Sequence, residues 1–376
     1  MIKTLFRPFI LMILFCCFLF ACNKKNETPG NIYSTVNWDA LSANAYFTLA
    51  IRGDRSLWAA GTNNYGQLGG SIAGRDSNFK RITEHVSLAR AGYFHTLVLK
   101  TDGSLWGMGR SDSGQLGNVQ GSKTKIPVKI TGDVLSMSGG AAHTLILKKD
   151  GTVWATGGNF YGQLGDGTGI SRNTPVQVAT GVKQLAAGRD FSLIVKTDGS
   201  LWAAGRNNYG QLGDGTLDNK RTFVKVMDNV AVVAAESFHS LILKTDGSLW
   251  GSGQNLYGQL GDGTKENRPS PIRLAGNVAA IAAGAYHSLI LKKDGSLWTT
   301  GRNNYGQCGT GSAEPALVTP VQIASEVMAI AAGHYHSVFL KKDGMVFSAG
   351  RNASGELGLG NTENASQPVP AFSLVR

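Results

Sequence analysis

The sequence predicts an all-β chain: a seven-bladed β-propeller of four-stranded antiparallel blades. Three observations carry this. The tetrapeptide Gly-Gln-Leu-Gly starts at Gly66, Gly114, Gly162, Gly210 and Gly258, and returns as Gly-Gln-Cys-Gly at Gly306 and Gly-Glu-Leu-Gly at Gly355, in steps of 48 and finally 49 residues. A tryptophan keeps the same period through Trp58, Trp106, Trp154, Trp202, Trp250 and Trp298, with Phe347 in the seventh copy. A third marker runs Phe47, His95, His143, Phe191, His239, His287 and His336. A fixed period of this length means one supersecondary unit that buries its apolar face only against its neighbours. Length alone, 376 residues, suggests two or three domains, but the repeats make residues 35–376 one closed array.

Each unit reads as four short strands. In the sixth copy the first strand is Val278 to Ala283, small and apolar. The second, His287 to Lys292, alternates inward and outward residues. The third is Ser296 to Thr300 and the fourth Pro320 to Ala324. Asp294-Gly295 separates the second from the third and predicts a type I′ hairpin turn. The dipeptide recurs at Asp102, Asp150, Asp198, Asp246 and Asp343, while Asp54-Arg55 predicts a different turn in the first copy. Units join through turns as short as Ala179-Thr180-Gly181. Residues 36–61 supply three strands and Pro368 to Arg376 a fourth, so ring closure is expected through one mixed blade that hides the sheet edges.

Composition agrees. Glycine is 50 of 376, about 13% against a usual 7%, as many repeated turns require. With 16% charged and 42% hydrophobic residues, the chain is not a disordered one. The formal charge is +11.

Residues 1–21 read as a signal peptide: Lys3 and Arg7, then an apolar run from Phe9 to Ala21. That run is shorter than the roughly 20 residues of a membrane span. Leu19-Phe20-Ala21-Cys22 resembles the bacterial lipobox, which implies lipidation of Cys22, palmitate among the acyl chains, and an exported protein anchored to the cell membrane or outer membrane. The alternative is an uncleaved anchor or a signal cut elsewhere. Polar residues 22–34 read as a flexible tether. Only Cys308 then remains inside the domain, so no internal disulfide is expected. Without Lys3 and Arg7 the excess falls from 36 − 25 to 34 − 25, a charge of +9.

The repeat, best seen over Ala282 to Gly309 and Ala234 to Thr264, resembles the regulator of chromosome condensation repeat. The resemblance covers all seven units and implies a seven-bladed propeller, not one function. The family's eukaryotic namesake is a guanine-nucleotide exchange factor that uses a protruding insertion. Units of constant length leave no room for such a wedge, so exchange activity is the lesser expectation.

Among the repeated residues, the five histidines invite a metal or catalytic reading. Each occupies the same place in its own unit, so they ring the molecule and do not converge as zinc ligands must; no metal and no cofactor are expected. The tryptophans read as blade core. Asp-Gly-Thr at 166–168, 214–216 and 262–264 reads as a turn, lacking calcium-loop spacing. Arg52, Lys100, Lys148, Lys196, Lys244, Lys292 and Lys341 form a basic rim, read either as a solvated hairpin edge or as a contact for an anionic membrane or polymer. The export signal disfavours nucleic acid.

The opposite face gathers the variable loops. The second residue of the loop after the first strand is aromatic in five units: Tyr46, Phe94, Phe238, Tyr286 and Tyr335. Tyrosines 65, 161, 209, 257 and 305 and arginines 110, 206, 302 and 351 lie nearby. Arg189, Asp190 and Glu236 break the pattern. Tyrosine and arginine are enriched in binding hot spots. The expected function is therefore a non-enzymatic, membrane-anchored, monomeric scaffold that binds a protein or glycan through this face. The alternatives are an exchange factor by family analogy, or an envelope enzyme using Arg189, Asp190, Glu236 and His239 at the funnel mouth.

Overall fold

The computed structural model describes residues 38–371, apart from 71, 73, 118 and 120. The signal peptide, Cys22 and the tether lie outside these residues. The described strands form seven four-stranded antiparallel sheets, each in simple chain order. The blades span residues 38–83, 86–131, 134–179, 182–227, 230–275, 278–324 and 327–370. In blade 6 the strands are Val278–Ala283, His287–Lys292, Leu297–Arg302 and Ala316–Ala324. The second strand of each blade is almost wholly buried, whereas the fourth alternates partly buried and exposed residues as an outer edge does.

Ring closure differs from the expectation. Blade 1 carries its own fourth strand, Arg75–Thr83, and blade 7 is completed by Ala365–Pro370. Among the described residues no blade mixes the two ends of the chain. Packing and a backbone bond close the ring instead: Ala50, Ala60 and Phe79 of blade 1 pack with Val338, Leu340 and Val346 of blade 7, and Gly360 N–H donates to Ser77 C=O at 2.9 Å. Six further clusters fill the space around the ring, most of them bridging neighbouring blades, as in Phe47, Leu49 and Leu57 against Val86 and Val98. Each fully buried aliphatic side chain contributes about 1.5–3 kcal/mol, so the hydrophobic core is a set of packed seams around the channel.

The hairpin turn also differs. Gly103 has φ +83°, while Thr101 and Asp102 stay out of the left-handed region. Gly103 N–H bonds Lys100 C=O at 3.0 Å, and Lys100 N–H bonds Ser104 C=O at 2.9 Å. A type I′ turn needs positive φ at both central residues; a three-residue loop ending in a left-handed glycine does not. The first copy uses the same turn, with Arg55 at φ +65° in the glycine's place. Asp102 Oδ1 accepts from Ser104 N–H and Oγ, and Ser104 Oγ accepts from Trp106 Nε1 at 2.8 Å. These bonds hold the Asp102 carboxyl below its usual range. The tryptophans are half-buried plates beside the seams, not the blade centre.

The basic rim is bound to its own chain. Lys100 and Lys148 donate to carbonyls of the turn leading into their own blade, and Lys292 reaches Gly276 C=O at 2.9 Å. Arg52, Lys196 and Lys244 lie over Trp58, Trp202 and Trp250 at 5.3, 4.4 and 5.6 Å. These cations serve their own blades in two ways, Lys100, Lys148 and Lys292 as donors to turn carbonyls and Arg52, Lys196, Lys244 and Lys341 over the ring beside the hairpin.

Candidate functional site

The loops after the first and third strands share one face, and backbone bonds set them against each other. Arg302 N–H donates to Tyr286 C=O at 2.8 Å, Arg351 to Tyr335 at 2.8 Å, and Arg110 to Phe94 at 2.8 Å. The preceding glycine makes this approach possible. Gly301 has φ +107°, and a Cβ there would lie 2.4 Å from the Tyr286 carbonyl oxygen. The long loop is folded around a buried asparagine: Asn303 Oδ1 accepts Cys308 N–H and its Nδ2 donates to Glu314 C=O. Tyr305 N–H is held by Gln307 Oε1 at 2.9 Å. Aromatic and guanidinium groups therefore stand on a rigid frame.

The rings form one connected arc. Phe94 and Tyr46 are 6.2 Å apart, Tyr46 and His334 5.9 Å, His334 and Tyr335 5.8 Å, Tyr335 and Tyr286 6.1 Å, and Tyr286 and Phe238 6.4 Å. Outer tyrosines brace them edge-on, with Tyr257 to Tyr286 at 5.4 Å and Tyr209 to Phe238 at 5.3 Å. Arg351 covers Tyr46 at 4.9 Å, Arg110 covers Phe94 at 5.9 Å, and Arg206 and Arg189 each lie 5.4 Å from Phe238. A cavity of about 270 Å³ opens between Tyr46, Tyr65, Phe94 and Arg351. The arc is broken at blades 3 and 4, where Ala142 and Asp190 replace the ring.

Of the sequence-predicted binding residues, Tyr46, Phe94, Tyr286 and Tyr335 are half-exposed on this face, and Arg189 is exposed. Two are not surface groups: Phe238 is 7% and Glu236 4% exposed. Glu236 lies deep in the central channel, where three blades meet. Its Oε1 is 2.9 Å from His334 Nε2, and its Oε2 accepts from Ser237 Oγ at 2.6 Å. The Tyr93 hydroxyl is 2.7 Å from Ser237 Oγ, and its ring meets His334 edge-on at 4.2 Å. Burial, then the Glu236 charge, push the Tyr93 phenol well above its ordinary value. Tyr93, Ser237 and His334 were not among the sequence candidates. Their signal was size and polarity at the first loop position, where three other blades carry Ala45, Ala141 and Ala285.

The ring histidines are staples between blades. His95, His143, His239, His287 and His336 each place Nε2 at 2.9–3.3 Å from Thr144, Ser192, Ser288, Ser337 and Thr48 of the next blade. Each of those hydroxyls donates onward to a carbonyl of the Gly-Gln-Leu-Gly loop or its variant, as Ser337 does to Gln307 at 2.6 Å. The hydroxyl proton being spent, the imidazole donates from Nε2. Burial pushes the five imidazoles down, to about 4 for His95 and His239 and about 3 for His143, His287 and His336. Thr48 extends the staple across the closing seam, bonding His336 and Glu356 C=O.

The suggested catalytic grouping is not assembled. His239 is committed to Ser288 and Glu236 to His334, while Asp190 is shared by Arg189 at 3.6 Å and Arg206 at 3.4 Å. The Asp-Gly-Thr loops are closed turns: Asp166 Oδ1 binds Thr168 and Asn159, and its Oδ2 binds Arg172 at 2.7 Å.

Comparison with known proteins accords with this architecture. The human WBSCR16 crystal structure is 26% identical, with TM-score 0.75 over 85% of this chain and 93% of that one. Prp20p of Saccharomyces cerevisiae is 23% identical, with TM-score 0.71 over 82% and 84%. Yeast RCC1 (Prp20), crystallised with Kap60, is 21% identical, with TM-score 0.77 over 95% and 92%; these two likenesses concern the fold. No curated protein matches the sequence. Residues 102–147 and 86–115 match the regulator of chromosome condensation (RCC1) repeat. Residues 128–376, about two thirds of the sequence, match the RCC1-like domain, and the chain belongs to that family.

Proposed function

We propose that the protein is a non-enzymatic binding scaffold, exported and held at a membrane through lipidated Cys22, whose loop face receives a protein partner. The observation that carries this is the continuous arc of rings and arginines fixed on backbone-braced loops. Pre-ordered aromatic and arginine groups lose little entropy on binding and are the commonest hot-spot residues. One structurally similar propeller binds proteins: Prp20p is described with its binding properties to Gsp1p and histones, and the same protein, yeast RCC1 (Prp20), was solved bound to Kap60.

The test replaces Tyr46, Tyr286 and Tyr335 together by Ser, leaving buried Phe238 in place. Capture from envelope extract is expected to lose the partner that the unaltered chain retains, at unchanged thermal stability. Capture of the same partner by the triple variant overturns the assignment of this face. Cys22→Ala should abolish palmitate incorporation; persistent incorporation overturns the lipid anchor at Cys22.

A further inference from the structure

We infer that the centre of the loop face receives a carboxylate-bearing segment of the protein partner, seated on Arg302. This rests on the binding reading above and names the partner's chemistry. Each of the other arginines of the face meets a carboxylate of the chain. Arg110 meets Asp112 at 2.6 Å, Arg351 meets Glu356 at 2.7 Å, and Arg189 and Arg206 share Asp190. Arg302 has no carboxylate partner among the described residues. Its Nε donates to Asn304 Oδ1 at 3.1 Å, at the position where Arg110 has Asp112. Its guanidinium lies 5.1–5.9 Å from the rings of Tyr257, Tyr286, Tyr305 and Tyr335. Rings draw the cation but leave the terminal N–H groups without in-plane acceptors, and a guanidinium fork fits a carboxylate with two parallel bonds.

A second unbalanced charge lies along the same arc. Two arginines share the single Asp190, and Phe238 and Tyr286 stand between that pair and Arg302. Glu236 forms no ion pair with these arginines; its contacts are with His334 and Ser237. A peptide with two acidic side chains flanking an apolar one matches charge, ring surface and charge in sequence. Nucleic acid is the poorer match. Base stacking needs open ring faces, and these tyrosines are braced edge to face, Tyr257 on Tyr286 at 71° and Tyr305 on Tyr335 at 69°, with a guanidinium above.

The experiment measures fluorescence anisotropy of a labelled, end-blocked hexaglutamate peptide with the full-length chain in non-ionic detergent. Arg302→Gln is expected to raise Kd at least tenfold and Arg302→Lys, which keeps the charge but loses the fork, by less. Lys149→Gln, at the exposed lysine next to Lys148 on the basic rim, should change Kd less than twofold. Near-UV circular dichroism of each variant reports whether the ring packing persists. The inference is overturned if hexaglutamate does not bind, if Arg302→Gln binds within twofold of the unaltered chain, or if Lys149→Gln costs as much. It is also overturned if an oligodeoxythymidylate binds more tightly than the peptide through Arg302. In any of these cases, continued dependence of partner capture on Tyr46, Tyr286 and Tyr335 would leave the face assignment standing with a different partner chemistry.

Discussion

Mild acid should unfold this ring, and the slope of that loss can be worked out from the staples. Five imidazoles with folded pKa values of about 3–4 face an unfolded value of 6.5. Their folded values are depressed, so above pH 6.5 neither state binds the proton and stability is full. As pH falls below 6.5 the unfolded chain takes up protons that the folded chain refuses, and stability falls until the folded values are reached. Each histidine contributes about 1.4 kcal/mol per pH unit, and five give about 7. Asp190 and Glu356, whose carboxyls are raised by burial, gain protons in the folded state and offset part of this. The net slope is therefore three to five protons. At pH 5 each histidine has cost about 2 kcal/mol, together about 10, against a usual domain stability of 5–15. Urea unfolding at half-unit steps from pH 7.5 to 5 measures the slope directly. The depressed hairpin aspartates, such as Asp102, lose their contribution only below pH 3.8 and stay outside this window. His287→Phe should lower the slope by one proton, since Phe47 and Phe191 fill the same place in blades 1 and 4. A flat profile between pH 7.5 and 5, or an unchanged slope in His287→Phe, would refute the reasoning.

Three further outcomes follow from named contacts. Arg55→Gly should raise the urea midpoint, corresponding to about 1 kcal/mol, because glycine relieves the left-handed backbone at φ +65°; a lower midpoint would contradict it. Gly109→Ala should cost about 3 kcal/mol, since its Cβ would lie 2.4 Å from Phe94 C=O at φ +107°; equilibrium unfolding checks this. Thr48→Val orphans both His336 and Glu356 C=O, whereas Thr96→Val orphans only Gln67 C=O because Phe47 sends it no bond. The first should cost about 2–4 kcal/mol and the second at least 1 kcal/mol less. Equal costs in paired denaturation curves would show that the staple contributes nothing.

The fold was legible because its markers are repeated for repeated reasons. The Gly-Gln-Leu-Gly loop, the tryptophan beside each hairpin and the stapling position recur since each blade meets the next in the same way. Closure was not legible. Arg75–Thr83 has no apolar alternation and does not read as a strand by pattern, so the pattern places the C-terminal strand, expected at Pro368 to Arg376 and found at Ala365–Pro370, in the wrong blade. Both lie on outer edges, where proline and polar residues are tolerated. The turn type was ambiguous because a left-handed glycine serves both hairpin classes, and loop length decides between them. At the candidate site, the half-exposed aromatic positions could be read one unit at a time. The channel cluster could not: Tyr93 and Glu236 are 143 residues apart, and each departs from its repeat. Periodicity shows what blades share, whereas Tyr93, Glu236 and His334 meet because three blades differ.

Closure without a shared strand has a consequence for how such a chain changes over time. Every blade is encoded by one uninterrupted stretch, and among the described residues no strand is borrowed across the seam. Duplication or loss of one 48-residue stretch therefore adds or removes a whole blade without re-pairing any other. The seam uses a hydroxyl to receive the last imidazole, the Ser77 carbonyl to receive Gly360 N–H, and an apolar patch such as Ala50, Ala60 and Phe79 to receive the last sheet, and other repeats carry versions of each. Any blade can thus stand next to any other, which leaves the loops free to diverge while the ring is copied.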